Sequence, residues 1–280
     1  MKNQLRGFTI VELLVVIIII VLLMLLLMPG MQGAREAARR GHCKARLMQI
    51  AAGVLSYEQA HGVLPPGSVN QGSTIQNEPD GYHVSWLVQA LPFVGREQVY
   101  ARFDFQQGVY ASVNSTARSA PIALFLCPSA SAPKNVAGSH FAACHDDRET
   151  PVAADNHGVF FLNSSLRSDD IDDGTRHTIF IGEKLIDAKD LGWASGTRAT
   201  LRNTGTALNA ALNQSTKASA PPATGDDNAA VGGFASMHPG GAHFAFGDGS
   251  VRFISSSVDQ VIMQRLAHRS DGQVLGADEY

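Results

Sequence analysis

The sequence predicts an α+β protein in which one long N-terminal helix packs on a mainly antiparallel β-sheet head with long loops. Sixteen consecutive apolar residues lie near the start of the sequence, at 13–28, and a helical stripe of apolar residues follows them. The remainder alternates short apolar segments with turns rich in Gly and Asp, a pattern typical of strands. The chain has 280 residues, of which 45% are hydrophobic and 17% charged. This length and composition exclude a wholly disordered or fibrous protein.

The apolar run predicts a transmembrane helix at 8–28. Counted from Phe8, it covers twenty-one residues interrupted only by Thr9 and Glu12, which is enough helix to cross a hydrocarbon core of about 30 Å. A charged carboxylate inside such a helix costs about 2.5–3.5 kcal/mol. Glu12 therefore requires a partner.

An amphipathic helix is predicted to extend the first helix over 29–62. Its apolar stripe consists of Cys43, Leu47, Ile50, Val54 and Tyr57. Pro29 and Gly30 should kink or loosen the helix, and Gly62 and the Pro-Pro-Gly at 65–67 should end it. A continuous helix from Phe8 to His61 would be about 80 Å long.

The head is predicted to occupy 63–280. Strands are expected at 159–162 and 178–181, and a hairpin at 242–246 and 251–254. The segment 198–233 is rich in Ala, Asn, Thr, Gly and Ser, which predicts a flexible insertion or long surface loop.

The segment G-F-T-I-V-E-L-L-V-V at 7–16 resembles the N-terminus of prepilins of type IV pili and type II secretion pseudopili. The resemblance implies that residues 1–7 are a leader and that a prepilin peptidase cuts between Gly7 and Phe8 and methylates Phe8. It also implies that Glu12, the fifth mature residue, pairs with the N-terminal amine of a neighbouring subunit. The alternative is a plain membrane anchor with one stray carboxylate.

A second resemblance covers nearly the whole chain and concerns bacterial prepilin-like proteins with a DUF1559 (solute-binding type 10) domain. The segments that carry it are Ala38–Arg40, Cys43, Tyr57–Gly62, Pro65–Gly67, Phe125–Ser129, Asp172–Thr175, Thr178–Glu183, and His238 followed after nine residues by Asp248-Gly249. The resemblance implies a cell-envelope protein with a pilin-type anchor, and it assigns no activity to the head.

These resemblances imply a single-pass protein of the inner membrane with an extracytoplasmic head. The implied partners are a prepilin peptidase, other pilin-like subunits through the N-terminal helix, and the lipid bilayer. Five basic residues between 35 and 46 follow the apolar run, against Lys2 and Arg6 before it, and this distribution alone favours the opposite orientation. A pI near 6.3 argues against nucleic acid as a partner.

Two groups in the head invite a metal hypothesis. His238, His243 and Asp248 could converge on a cation, but the simpler interpretation is that His238 fixes a Gly-rich turn and Asp248 caps the hairpin, so His238, Asp248 and Gly249 are read as structural. The acidic run 168–174 lacks the spacing of a calcium loop and reads as a turn. No metal, cofactor or catalytic residue is predicted.

Cys144 with His145 lacks a nucleophile motif, and an exposed loop is expected there. Three cysteines permit at most one disulfide, and either Cys43 or Cys144 could pair with Cys127, or all three could be small buried side chains. Their spacing does not predict a zinc site.

The function that the sequence favours is a non-enzymatic, pseudopilin-like structural subunit of the cell envelope that assembles through its N-terminal helix. The alternative is a membrane-tethered solute-binding protein, which an aromatic-lined pocket in the head would favour. A metal-dependent enzyme built on His238, His243 and Asp248 is the weakest hypothesis.

Overall fold

The computed structural model describes residues 9–213, 228–273 and 275–276, and for residues 26–31 it describes the backbone alone. Six α-helices lie within these ranges: α1 (Ile10–His61), α2 (Trp86–Ala90), α3 (Glu97–Tyr100), α4 (Ser115–Arg118), α5 (Ala210–Asn213) and α6 (Gln260–Ala267). Short 3₁₀ turns connect several of them. The long N-terminal helix is thus confirmed.

Nine strands are found in the described part of the chain: β1 (Ser68–Val69), β2 (Thr74–Ile75), β3 (Val84–Ser85), β4 (Phe141–Asp146), β5 (Val152–Ala153), β6 (Ile179–Glu183), β7 (Leu201–Asn203), β8 (Gly241–Phe246) and β9 (Val251–Ser255). Five of them form the central sheet in the order β7-β4-β6-β8-β9, and two antiparallel pairs, β1-β3 and β2-β5, lie apart from it. Only the β4-β7 pair in the central sheet is parallel. The α+β class with a mainly antiparallel head is confirmed.

Helix α1 is continuous through Pro29 and Gly30, where the sequence predicted a kink. It ends at His61 because Gly62 adopts a left-handed conformation, φ 75°, and donates its N–H to the carbonyl of Glu58. Glycine is the residue best suited to this terminating position. The predicted end of the helix is therefore confirmed.

The central sheet is covered on both faces. Successive side chains along each strand point to opposite faces, so each strand contributes to both layers. The face toward α1 contributes Ala143, Ala245 and Val251 to the core that includes Leu47, Ile50, Val54, Trp86 and Phe160. The opposite face packs Ala142, Cys144, Phe244 and Phe246 against Met263 and Leu266 of α6. One helix face and one sheet face thus enclose each core.

The strand prediction was right at β6 and at the β8-β9 hairpin and wrong at 159–162. That segment is buried, but it divides its hydrogen bonds among neighbours instead of forming one ladder. Phe160 donates to the carbonyl of Cys144 in β4, Leu162 donates to Ala153 in β5, and Phe161 accepts from Ser68 in β1. An apolar run predicts burial better than it predicts regular pairing.

The segment 198–233, expected to be a flexible insertion or surface loop, begins instead with buried β7, an edge strand of the central sheet. Residues 214–227 lie outside the described residues. The strand forms because β7 pairs in parallel with β4, a partner more than fifty residues away in sequence.

The described residues include no helix with the length and apolarity needed to cross a membrane.

Candidate functional site

The predicted processing residues Gly7 and Phe8 lie outside the described residues. The first described turn places Thr9 at the N-cap of α1, where its hydroxyl accepts from the Glu12 N–H at 3.3 Å. The Glu12 carboxylate in turn accepts from the Thr9 N–H at 2.9 Å and from its hydroxyl at 2.7 Å. This reciprocal capping box stabilises the start of the helix. In the single chain, Glu12 is therefore engaged locally.

The apolar side chains in the first part of α1, Ile10 to Leu25, are not buried by any other part of the described chain. All fifteen apolar residues between Ile10 and Leu25 are exposed, the least of them, Val16, by 43% and the most, Ile10, by 84%. Monomeric soluble proteins rarely expose so large a contiguous apolar surface. Such a surface marks a site of interaction.

The second part of α1 joins the head through a cluster of cysteine, carboxylate and histidine side chains. We name it the junction cluster: Glu36, Cys43, Cys127, Glu183 and His238. Glu36 and Cys43 belong to α1, Glu183 ends β6, and the other two lie in loops. Its members apart from Glu36 are buried. The junction cluster therefore connects α1, β6 and two separate loops.

His238 lies at the centre of the junction cluster. Its Nδ1–H donates to Glu36 Oε1 at 2.7 Å, and its Nε2 lies 3.4 Å from Glu183 Oε1. Burial alone would lower the pKa of His238, but the hydrogen bonds to Glu183 and Glu36 outweigh it and raise the pKa. The imidazole thus connects a helix carboxylate to a strand carboxylate.

Two histidines share Glu183. The backbone N–H of His243 donates to Glu183 Oε2 at 2.8 Å, and its Nδ1 lies 3.4 Å from Oε1. Burial would raise the pKa of Glu183, but hydrogen bonds from His238 and His243 lower it to about 2. Glu183 is therefore an ionised carboxylate beneath the helix.

The structure settles the cysteine pairing: Cys43 and Cys127 form a disulfide with their Cα atoms 5.3 Å apart. The bond links α1 to the loop after the 3₁₀ turn 123–125. Arg46, one helical turn farther along α1, donates to the carbonyl of Leu126. Cys144 is a buried free thiol whose pKa is raised well above its ordinary value by burial.

Asp248 and Gly249 do not join His238. They form the turn between β8 and β9, where Asp248 Oδ1 accepts from the Ser250 N–H at 2.9 Å and Gly249 has φ 79°. His238 precedes the other end of the hairpin, where Gly241 pairs with Ser255. The described histidines at 238 and 243 therefore converge on Glu183 and not on Asp248.

Two other segments singled out by the sequence have structural roles. Cys144 and His145 lie in the buried centre of β4, so the expected exposed loop is wrong. In the acidic run, Asp173 accepts from the N–H groups of Asp271 and Gly272, each at 2.8 Å, which holds the chain after α6. A turn was predicted there, and the run does form turns.

Sequence reasoning missed Glu36 and Glu183 as partners of His238. Glu36 stands among basic residues and Glu183 closes an apolar strand, and a charged residue that ends a buried strand was the available signal. Within the described residues, two groups bring the ligand atoms of three or more His, Cys, Asp or Glu side chains within 4.8 Å of one another: four members of the junction cluster, and Asp147 with His157 and His268. The second group is partly exposed and lies beside the guanidinium of Arg148.

The fold and the junction cluster define a class of protein in which a head is fastened to the second part of a long helix whose first part is exposed. The family model described as a protein of unknown function, DUF1559, matches residues 32–261, and the model of the prokaryotic N-terminal methylation motif matches residues 2–28. The chain belongs to the DUF1559 family. No curated protein and no solved structure matches it. The methylation motif makes the chain prepilin-like and implies a prepilin peptidase substrate that assembles with other pilin subunits.

Proposed function

We propose that the protein is a pilin-like structural subunit of the cell envelope. In this proposal it is cut between Gly7 and Phe8, methylated on Phe8, anchored by 8–28 in the inner membrane with its head outside, and assembled with other pilin-like subunits. The observation that carries the proposal is the exposed apolar surface from Ile10 to Leu25, which lies within the matched methylation motif, residues 2–28. Lipid tails or neighbouring copies of this helix would cover that surface.

Glu12 is proposed to direct assembly. A carboxylate on an apolar helix is costly in a membrane unless it is paired. The methylated amine of Phe8 on a neighbouring subunit supplies a cation for it. Pairing with that amine would compete with the hydrogen bonds that Glu12 now accepts from Thr9. A buried ion pair of this kind fixes register more than it adds stability.

Intact mass and N-terminal sequencing of the protein from native membranes test the processing. The expected chain lacks Met1 to Gly7 and carries one methyl group on Phe8. A chain that begins at Met1 would contradict the proposal and favour a tethered head.

A pair of variants tests assembly. Glu12→Ala removes the charge and the capping box, whereas Glu12→Gln removes the charge and keeps a capping residue. Both should be processed and reach the membrane, and both should fail to form multimers detected by crosslinking in membranes. If Glu12→Gln assembles normally, the carboxylate charge is not the determinant and the pairing mechanism is wrong.

A second candidate function is the binding of an extracytoplasmic solute, and one groove favours it. A space of about 300 Å³ is lined by Tyr57, His61, Gln89, Pro92, Phe93 and Tyr100. The rings of Tyr57 and His61 stack at 4.0 Å, and Phe93 lies edge-on to both at 5.6 Å. Titration of the full chain with monosaccharides and amino acids, followed by tyrosine fluorescence, tests it. Binding lost in Phe93→Ala would support this function, and no binding to any of the probes would argue against it.

A further inference from the structure

The junction cluster contains the side chain types of a zinc site. Cys43, Cys127, Glu183 and His238 each offer one ligand atom, the four atoms lie within 4.8 Å of one another, and all four residues are buried. Zn²⁺ takes four such ligands in tetrahedral geometry, with thiolate, imidazole and carboxylate as its usual donors.

The distances agree with the edges of a zinc tetrahedron. Bond lengths of about 2.3 Å to sulfur and about 2.0–2.1 Å to nitrogen or oxygen give edges of about 3.5–3.6 Å between sulfur and nitrogen and about 3.3–3.4 Å between nitrogen and oxygen. His238 Nε2 lies 3.5 Å from Cys127 Sγ and 3.4 Å from Glu183 Oε1. The two sulfur atoms, which are bonded in the disulfide, would have to separate.

The orientation of His238 also suits a metal. Its Nδ1–H donates to Glu36 Oε1, so its Nε2 faces Cys127 and Glu183. Histidines that bind metals nearly always donate their other ring N–H to a carboxylate or carbonyl in this way. Glu36 is itself fixed by Arg39 at 2.6 Å and by the hydroxyl of Ser129 at 3.2 Å.

We propose that the dithiol form of this protein binds one Zn²⁺ through Cys43, Cys127, His238 and Glu183, with Glu36 orienting His238. A dithiol reductant transfers two electrons and two protons to the disulfide and becomes a disulfide itself. Zn²⁺ then displaces the proton of each thiol and the proton on Nε2 of His238. Zinc in the dithiol form and the disulfide in the oxidised form are thus alternative fastenings of α1 to the head.

The sequence did not reveal this site because its ligands do not occur in paired motifs. Cys43 and Cys127 are separated by 84 residues, and the other two ligands follow at positions 183 and 238. The topology alone assembles them.

The test uses the full chain in detergent, reduced with a water-soluble phosphine because a thiol reductant would itself bind zinc. The probes are Zn²⁺ alone, measured by competition with a chromogenic chelator, and Co²⁺ alone, measured by its tetrahedral absorption bands and its sulfur-to-cobalt charge-transfer band. The expected result is one ion per reduced chain, a charge-transfer band of two thiolates, and no binding by the oxidised chain.

Variants distinguish this site from adventitious binding. Cys127→Ser should lose the charge-transfer band of one thiolate and most of the affinity, whereas Cys144→Ser, the third cysteine, should bind like the unmodified chain. Glu36→Gln should keep the stoichiometry and weaken binding by about 10- to 100-fold.

Any of the following outcomes would overturn the proposal. They are no binding by the reduced chain, equal binding by Cys127→Ser, and a reduced chain that circular dichroism shows to be unfolded both with and without Zn²⁺. Loss of binding in Cys144→Ser but not in Cys127→Ser would assign the metal to another site and would also overturn it.

Discussion

The two parts of α1 belong to one continuous helix and differ in what covers them. From Ile10 to Leu25 every apolar side chain is exposed, whereas Cys43, Leu47, Ile50 and Val54 are completely buried beneath the head. The difference shows that the head supplies a partner for the second part alone, and the first part must find its partner outside the chain.

The two parts also differ in how they are fastened. The second part is held by the disulfide, by Glu36 with His238, and by Arg46 with the carbonyl of Leu126. The polar contacts described for the first part stay within its own first turn, between Thr9 and Glu12. Changes in the second part should therefore alter the stability of the head, and changes in the first part should not.

Removal of the disulfide should have the largest effect. The bond closes a long loop, since its cysteines are 84 residues apart, and loops of that length correspond to about 4 kcal/mol of unfolding free energy. Urea unfolding is followed by the fluorescence of Trp86 and Trp193, both buried, with a chelator present. The double variant Cys43→Ala with Cys127→Ala should show this loss relative to the oxidised, unmodified chain. Cys144→Ala, which lies outside the disulfide, should lose about 1 kcal/mol. Equal losses would show that the disulfide does not fasten the helix.

The comparison between the parts of α1 can be tested directly with matched isoleucines. Ile50→Ala leaves a cavity in the core and should lower the unfolding free energy of the head by about 3 kcal/mol. Ile18→Ala, at a residue that is 50% exposed, should change it by less than about 0.5 kcal/mol. The same tryptophan fluorescence reports both. A large effect of Ile18→Ala on the head would mean that the first part contacts the head in solution.

The helix and its contact face could be predicted from the sequence because both depend on local patterns. The apolar run and the stripe ending at Tyr57 gave the length of α1, and Gly62 gave its end. The β8-β9 hairpin was also predictable, since its turn residues Asp248 and Gly249 lie between two alternating apolar segments. In each case the determining residues are neighbours in the chain.

The junction cluster could not be predicted, because its partners are distant. Glu36 and His238 are 202 residues apart, and Glu183 and His243 are 60 apart. The choice between Cys43 and Cys144 as the partner of Cys127 depends on strand β4 placing Cys144 on the face toward α6. Sequence spacing does not contain the sheet order that decides both questions.

Acid should weaken the head through Glu149. Glu149 accepts from the side chains of Asn203 and Thr206 and from the N–H groups of Val231 and Gly232. Burial would raise its pKa, but these hydrogen bonds lower it below its ordinary value. A lowered pKa contributes stability that is present above the unfolded value, near 4.5, and is lost as pH falls toward the folded value.

The free energy of unfolding of Glu149→Gln should therefore be about 1–3 kcal/mol lower than that of the unmodified chain at pH 7. Between pH 5 and pH 3, a range set around the ordinary pKa of the group, the variant should lose less stability than the unmodified chain. Thermal unfolding at stepped pH measures both. Asp169→Asn, at an exposed carboxylate of the acidic run, is the control and should keep the unmodified pH profile. An unchanged profile in Glu149→Gln would show that acid acts on the head elsewhere.

The smallest effect is expected at the first turn of α1. Thr9→Ala removes the hydroxyl that accepts from the Glu12 N–H and should destabilise that turn by about 1 kcal/mol, equivalent to about a fivefold loss of amide exchange protection at Glu12 in the isolated chain. Thr9→Ser should retain the cap, and head stability should be unchanged in both. If Glu12 exchanges Thr9 for the amine of a neighbouring subunit on assembly, Thr9→Ala should lose no amide exchange protection at Glu12 in the assembled form. A loss of equal size in both forms would show that the capping box persists on assembly and that Glu12 is not free to bind the neighbouring subunit.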